Sequence, residues 1–296
     1  MERKFSSIYL ADERYPALLK EISRPPKQLF FVGSLPPPDM MAIAIVGTRK
    51  ATTQGKLMAR QLAKELASRG IVIVSGLALG IDTAAHEGAI EAKGTTIGVL
   101  SDGLESIYPS QNTALADMMI RLGGALVSEY ATKSPYYPGQ FIQRNRIISG
   151  LCMGTVVIEA PDKSGTLATA RFALEQGREV FVVPGPVDHP NYSGSHKLIR
   201  DGARLVASAD DIWEDLSLKP MSSASIQAPL WEPSTRNEHL IVSALAKAGK
   251  PLLVDKLSEL TTLEAHIINA TLATLVLAGG IKETEVGYDL HFPASH

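Results

Sequence analysis

Residues 71–82 read IVIVSGLALGID, a β-branched run (Ile71-Val72-Ile73-Val74) that meets Ser75-Gly76 and then a second glycine, Gly80, just before Asp82. A short apolar run bounded by glycine is the pattern of a strand buried on both faces of a parallel sheet. A glycine turn that opens a helix sets backbone N–H groups beside the carboxyl end of such a strand, where they suit an anion. The spacing is G-x-x-x-G, so the dinucleotide fingerprint G-x-G-x-x-G is not met.

The same alternation extends in both directions. Apolar runs AIAIV, TTIGVL, ALVS, GTVVIEA and EVFVVPG alternate with LMARQLAKELASRG, DTAAHEGAIEAKG, TALADMMIRLGG and TLATARFALEQGR, whose apolar residues recur at helical spacing. Strands alternating with helices predict an α/β fold with a doubly wound parallel sheet over residues 41–213. Residues 1–40 read as a lead-in packed on that domain: a short helix around Ala11 to Ile22, a brief strand at Leu29 to Val32 and the breaker Pro36-Pro37-Pro38. Residues 214–236 are rich in Ser and Pro without a period, a linker. Residues 237–296 offer three helices and two short strands, the pattern of a small winged-helix domain. Its third helix, Leu263 to Leu277, carries Ile267, Ile268, Leu272, Leu275 and Val276 for packing and has no Lys or Arg, which argues for protein contact rather than DNA reading.

The chain has 296 residues, 45% hydrophobic and 20% charged, the balance of an ordinary globular protein. One cysteine, Cys152, excludes a disulfide framework and a cysteine-based zinc site, and the expected location is cytoplasmic. No leader or membrane-spanning run is evident. The net charge of −2 gives no global pull toward nucleic acid, so any such binding needs a local basic pocket.

Ligands of open parallel sheets bind beyond the carboxyl ends of the strands. Gly47-Thr48-Arg49-Lys50 follows AIAIV, Ser75-Gly76 follows IVIV, Arg144-Asn145-Arg146 follows a loop holding Tyr136, Tyr137 and Phe141, and Lys163-Ser164-Gly165-Thr166 follows VVIEA. Small residues, helix starts and cations in these places make a phosphate-binding edge. Each also has a plainer reading: Arg49 and Lys50 as solvated charges, Ser164 as a helix cap, Asp82 with His86 as a device that fixes the loop, and Cys152 as core. No catalytic constellation, metal-ligand spacing or cofactor signature is present, and no catalytic, metal or cofactor residue is assigned.

Taken in order, VGTRK (46–50), SGLALGIDTAAHEGA (75–89), DGLESIYPSQN (102–112), SEY (128–130), RNRIISGL (144–151), residues 156–185 and LIRDGARLV (198–206) resemble the DNA-processing protein A family. The resemblance implies an extended Rossmann-like domain that binds single-stranded DNA, forms a homodimer, protects incoming DNA and loads the RecA recombinase during natural transformation. It places a basic pocket on Arg49, Arg144, Arg146 and Lys163, lined by the backbone of Gly47, Ser164 and Gly165. The sequence departs from the family at Ile142, where Pro is usual, and at His196, where Asn is usual. The helix-hairpin segment that often precedes Tyr15-Pro16 is not seen. The alternative is a nucleotide hydrolase of the phosphoribohydrolase type, whose loop P-G-G-x-G-T-x-x-E carries a catalytic Glu. Thr169 stands at that position here, and Asp162 and Lys163 replace the first glycines, which favours binding over hydrolysis.

Overall fold

The computed structural model describes residues 5–132, 139–216, 235–277, 281–284 and 287–290. Most of the linker of residues 214–236 lies outside them, as do Tyr136 and Tyr137. The chain divides into two compact units, Met1–Met221 and Ser222–His296.

The first unit is built on nine strands: β1 (Ser6–Tyr9), β2 (Gln28–Gly33), β3 (Ala42–Val46), β4 (Val72–Ser75), β5 (Thr96–Val99), β6 (Ala125–Ser128), β7 (Gly154–Val157), β8 (Glu179–Val182) and β9 (Arg204–Leu205). Helices α1 (Ala17–Lys20), α2 (Thr53–Ser68), α3 (Ile81–Glu91), α4 (Thr113–Arg121), α5 (Gln140–Gly150), α6 (Gly165–Glu175), α7 (Ser193–Arg200) and α8 (Ala209–Asp215) connect them. The order across the sheet is β1-β2-β6-β5-β4-β3-β7-β8-β9. From β3 the chain winds outward through β4, β5 and β6, then returns to lay β7 on the other side of β3. The reversal between β3 and β7 is the topological switch point of a Rossmann-like, doubly wound fold, and it opens a crevice at their carboxyl ends.

Alternate residues of the central strands feed opposite layers. Ala42, Ala44 and Val46 of β3 pack with Ile147, Ile148 and Leu151 at the end of α5, while Ile43 and Ile45 pack with Leu62 and Leu66 of α2 and Ala85 of α3. Burial on both faces is why these strands read as unbroken apolar runs.

Two expectations need correction. The sheet is not parallel throughout, because β1 and β2 pair antiparallel with each other and β2 pairs antiparallel with β6. The lead-in therefore supplies an edge of the main sheet. The helix expected from Ala11 to Ile22 shrinks to the single turn of α1. Proline disfavours helix in the residue before it, and Asp12 instead closes a turn by accepting the Tyr9 N–H at 2.6 Å, so helix starts only after Pro16.

The second unit holds α9 (Arg236–Ala248), α10 (Val254–Thr261), α11 (Ala265–Leu277) and the hairpin β10 (Ile281–Thr284) and β11 (Gly287–Leu290). Thr235 and Glu238 form a reciprocal capping box at the start of α9, and Gly249 ends it in the left-handed region. Ile241, Leu245, Leu257, Ile268, Leu272, Leu275 and Ile281 form its core. Val276, expected to pack, is exposed instead.

Candidate nucleic-acid interface

The turn from β4 into α3 forms one wall of the crevice. Its first glycine is required by crowding: a Cβ on Gly76 would stand 2.8 Å from both a carboxylate oxygen of Asp82 and Nη2 of Arg144. Its second is required by conformation and space, since Gly80 has φ +87° and a Cβ there would lie 2.5 Å from the Thr48 carbonyl oxygen. The N–H groups of Gly76 and Ala78 donate to Asp82 Oδ2 at 3.1 and 3.3 Å. The anion held by this turn is thus the chain's own Asp82, which corrects the expectation that these N–H groups face an incoming phosphate. Asn112 braces the turn, donating to the Leu77 carbonyl at 2.8 Å and to Thr83 Oγ1 at 2.9 Å.

Arg144 reaches the same place from α5. Its Nη1 donates to the Gly76 carbonyl at 2.8 Å and to the Val99 carbonyl, tying the ends of β4 and β5 together. Burial lowers its pKa to about 10, with Asp82 opposing that shift and Arg49 adding to it, so it is cationic at neutral pH. Asp82 is pushed the other way, raised by burial against the pull of Arg144 and its hydrogen bonds. His86, one helical turn on, does not join them. It is fully buried, its Nδ1 lies 2.7 Å from Thr96 Oγ1, and burial lowers its pKa to about 3.

The opposite wall comes from the other side of the switch point. Val46 ends β3 and Gly47 to Lys50 follow it, while Ser164, Gly165 and Thr166 open α6 after β7. Ser164 caps α6 by accepting the Thr166 N–H at 3.1 Å, and Asn145 of α5 donates to the Gly165 carbonyl at 3.2 Å. The Arg49 guanidinium lies over the Phe141 ring, 5.2 Å from its centroid, and the Tyr108 ring meets Phe141 at 6.0 Å between centroids, tilted by 58°. The cavity between these walls measures about 350 Å³, and a smaller pocket of about 70 Å³ adjoins it across Arg49, Phe141 and Arg144, reaching Ser101, Asp102 and Tyr108.

Against known proteins, residues 6–217 match the family described as DNA recombination-mediator protein A. The chain belongs to this family. It is 45% identical over 219 residues to DNA processing protein DprA of Bacillus subtilis, covering 73% of this chain and 72% of that one. With protein Smf of Escherichia coli it shares 45% over 204 residues, 69% of this chain and 54% of the relative. Among solved structures, DNA processing protein A of Streptococcus pneumoniae superposes with a TM-score of 0.65 at 39% identity, covering 72% of this chain and 75% of that one. The Helicobacter pylori protein, solved for its single-stranded DNA binding mode, also gives 0.65, at 31% identity over 73% of this chain and 98% of that one.

The residues expected at the site do not all converge. Gly47, Thr48, Arg49, Lys50, Arg144, Asn145, Ser164, Gly165 and Thr166 line the larger cavity, and Gly76 lines the smaller. Arg146 does not join them. Two positions past Arg144 on α5, it leaves the helix on the far side, where Nη2 meets Glu129 at 2.6 Å and Nε donates to the Arg24 carbonyl at 3.1 Å. Ser75 is fully buried in the sheet and donates to the Ile45 carbonyl at 2.6 Å, so its hydroxyl is not in the groove. Lys163 is exposed on the loop before Ser164, outside the cavity lining. Sequence reading missed Asn112, Tyr108 and Glu159. Glu159 carries the clearest signal, a lone acid at the end of the apolar run VVIEA.

Proposed function

We propose that the groove binds single-stranded DNA through its sugar-phosphate chain, that the protein protects incoming strands, and that it loads the RecA recombinase on them during transformation. The observation that carries this reading is the composition of the switch-point groove. Arg49, Lys50 and Arg144 line the larger cavity together with the capped start of α6, while Asp82, the acidic residue among the described residues lining that cavity, is already engaged by Arg144 and two backbone N–H groups. Cations and helix-start N–H groups hold phosphates without reading bases, and the Tyr108–Phe141 pair offers a ring surface on which unpaired bases stack. Similarity to the Helicobacter pylori protein, whose structure addresses its single-stranded DNA binding mode, supports the same ligand.

Thr169 lines the groove where the phosphoribohydrolases carry Glu, which supports a binding role over a hydrolytic one. For the second unit we propose a winged-helix module that contacts protein, a homodimer partner or RecA, because α11 has no cation for a phosphate.

The test is fluorescence anisotropy with a labelled oligothymidylate and a duplex of equal length, titrated across salt. Single strands are expected to bind more tightly, with affinity falling as salt rises because phosphate contacts release counterions. Equal affinity for both forms, or no salt dependence, removes the reading.

A further inference from the structure

The loop that carries Arg49 is anchored on a buried acid, and the Ile81 N–H also donates to its Thr48 carbonyl at 3.4 Å. Glu159, the residue after Ile158 at the carboxyl end of β7, is fully buried. Its carboxylate accepts four hydrogen bonds: from the Thr52 N–H at 3.1 Å, from the Thr52 hydroxyl, from Asn191 Nδ2 at 2.8 Å and from the Tyr192 hydroxyl at 3.1 Å. Its backbone carbonyl accepts the Thr48 N–H at 2.8 Å, and Asn191 reaches on to the Lys50 carbonyl at 3.0 Å. Every second residue of the segment from Thr48 to Thr52 is therefore held by Glu159 directly or through Asn191, and Arg49 sits between two of the held positions.

The charge of this anchor needs an explanation. Burial raises the Glu159 pKa, but the Thr52, Asn191 and Tyr192 donors outweigh burial and lower it, so the group is ionised. It has no ion-pair partner among the described residues. A buried negative charge close under a groove that collects phosphates opposes binding by Coulomb's law. Its presence is accounted for by the donors it organises: two backbone or amide N–H groups that only donate, and two hydroxyls turned toward it.

We propose that Glu159 is a positioning residue for the DNA groove, setting the backbone of residues 48–52 so that Arg49 is presented over Phe141. The proposal rests on the groove reading above.

Anisotropy with labelled oligothymidylate, using the full chain, tests it with Arg49→Ala, Glu159→Ala, Glu159→Gln, Asn191→Ala and the Arg49→Ala/Glu159→Ala double variant, each checked by thermal melting. Charge alone predicts that Glu159→Ala binds more tightly; positioning predicts the reverse. Glu159→Ala is expected to weaken binding about tenfold, matching Arg49→Ala, and to lower the salt slope by about 0.7, one phosphate contact. The double variant is expected to be no weaker than the weaker single one, since both remove the same contact. Glu159→Gln is expected to recover most of the affinity, because its amide oxygen can face the N–H donors while its NH₂ faces the two hydroxyls. Asn191→Ala, which leaves the carboxylate in place, is expected to weaken binding about threefold and keeps the test available if Glu159→Ala does not fold. Weakened Arg49→Ala beside unchanged or tighter Glu159→Ala, or unchanged Asn191→Ala if Glu159→Ala does not fold, overturns the proposal alone. Wild-type binding by Arg49→Ala overturns the groove reading and the proposal with it.

Discussion

Arg144 and Arg146 stand two positions apart on α5, each more than nine-tenths buried, on opposite faces of the helix. On one face, Arg144 sits among the carbonyls of Gly76 and Val99 with Asp82 beside it, at the switch point. On the other, Arg146 meets Glu129 and the carbonyls of Arg24 and Gln143, holding the N-terminal segment to the body. Arg178 reinforces that second seam by donating to the Leu18 carbonyl and to Glu21, each at 3.0 Å, while Tyr15 ties the N-terminal segment to itself by donating its hydroxyl to the Pro26 carbonyl at 2.8 Å. The same side chain lies at the switch-point groove on one face and in a structural seam on the other. What separates the two uses is the 3.6-residue period of the helix.

The largest expected effects come from separating these faces. Arg144→Ala leaves Asp82 buried without its cation and is expected to cost about 3–5 kcal/mol in urea unfolding. Its folded fraction should also bind single strands at least about tenfold more weakly, one lost charge-assisted contact. Arg146→Ala should lower stability as well, by about 1–3 kcal/mol, since Glu129 is partly exposed and can be resolvated. Its affinity per folded molecule should stay at the wild-type value. A loss of affinity for Arg146→Ala equal to that for Arg144→Ala would break the comparison and move the DNA path to the other face of α5.

This division also marks where sequence reading runs out. The runs AIAIV, IVIV, TTIGVL and GTVVIEA became strands because double-sided burial makes them continuously apolar, a local property that any window shows. The strand order is not local. Nothing in the residues from Ala42 to Val46 says that β7 lies next to them, so the groove could be assembled only as a set of strand ends. Arg146 joins Arg144 in the resemblance because the two stand together in RNR, whereas the helix that begins at Gln140 turns them apart. Glu159 was passed over because its role depends on Asn191 and Tyr192, more than thirty residues on.

A third buried base sharpens the point at intermediate size. His86 has no carboxylate to match the one beside Arg144, and the Thr96 hydroxyl donates onward to the Ile73 carbonyl, so His86 Nδ1 must carry the proton and Nε2 is left without a partner. Burial holds its folded pKa at about 3, below the usual histidine value, so the unfolded chain takes up the proton first. Stability attributable to His86 is therefore intact above about pH 7 and falls as pH drops from about 6.5 toward 3, by about 1.4 kcal/mol per unit. At pH 5 the loss is about 2 kcal/mol, read from urea midpoints against pH 7.5. Comparing that slope with His86→Gln removes the contributions of other titrating groups. Equal slopes would show that the imidazole is reached by solvent.

The smallest expected effect compares the two units themselves. Cutting the chain after Asp215 removes α9, α10, α11 and the hairpin, yet is expected to change single-strand affinity by less than about threefold. The groove residues all come from Val46 to Thr169, within the unit that ends at Met221, and Ile241, Leu257, Ile268 and Leu275 build a core of the second unit's own. The charge balance of the second unit points the same way. Arg236, Lys247, Lys250, Lys256 and Lys282 are outnumbered by Glu238, Asp255, Glu259, Glu264, Glu283, Glu285 and Asp289, and Lys256 is already paired with Glu259. Phosphate binding depends on accumulated cations, so a net acidic module adds little of it. The truncated protein should melt as one cooperative unit, and any change should appear as a smaller particle in light scattering or as lost protein contact. An affinity loss above about tenfold, with the remaining unit folded and its assembly state unchanged, would place part of the DNA path on the second unit.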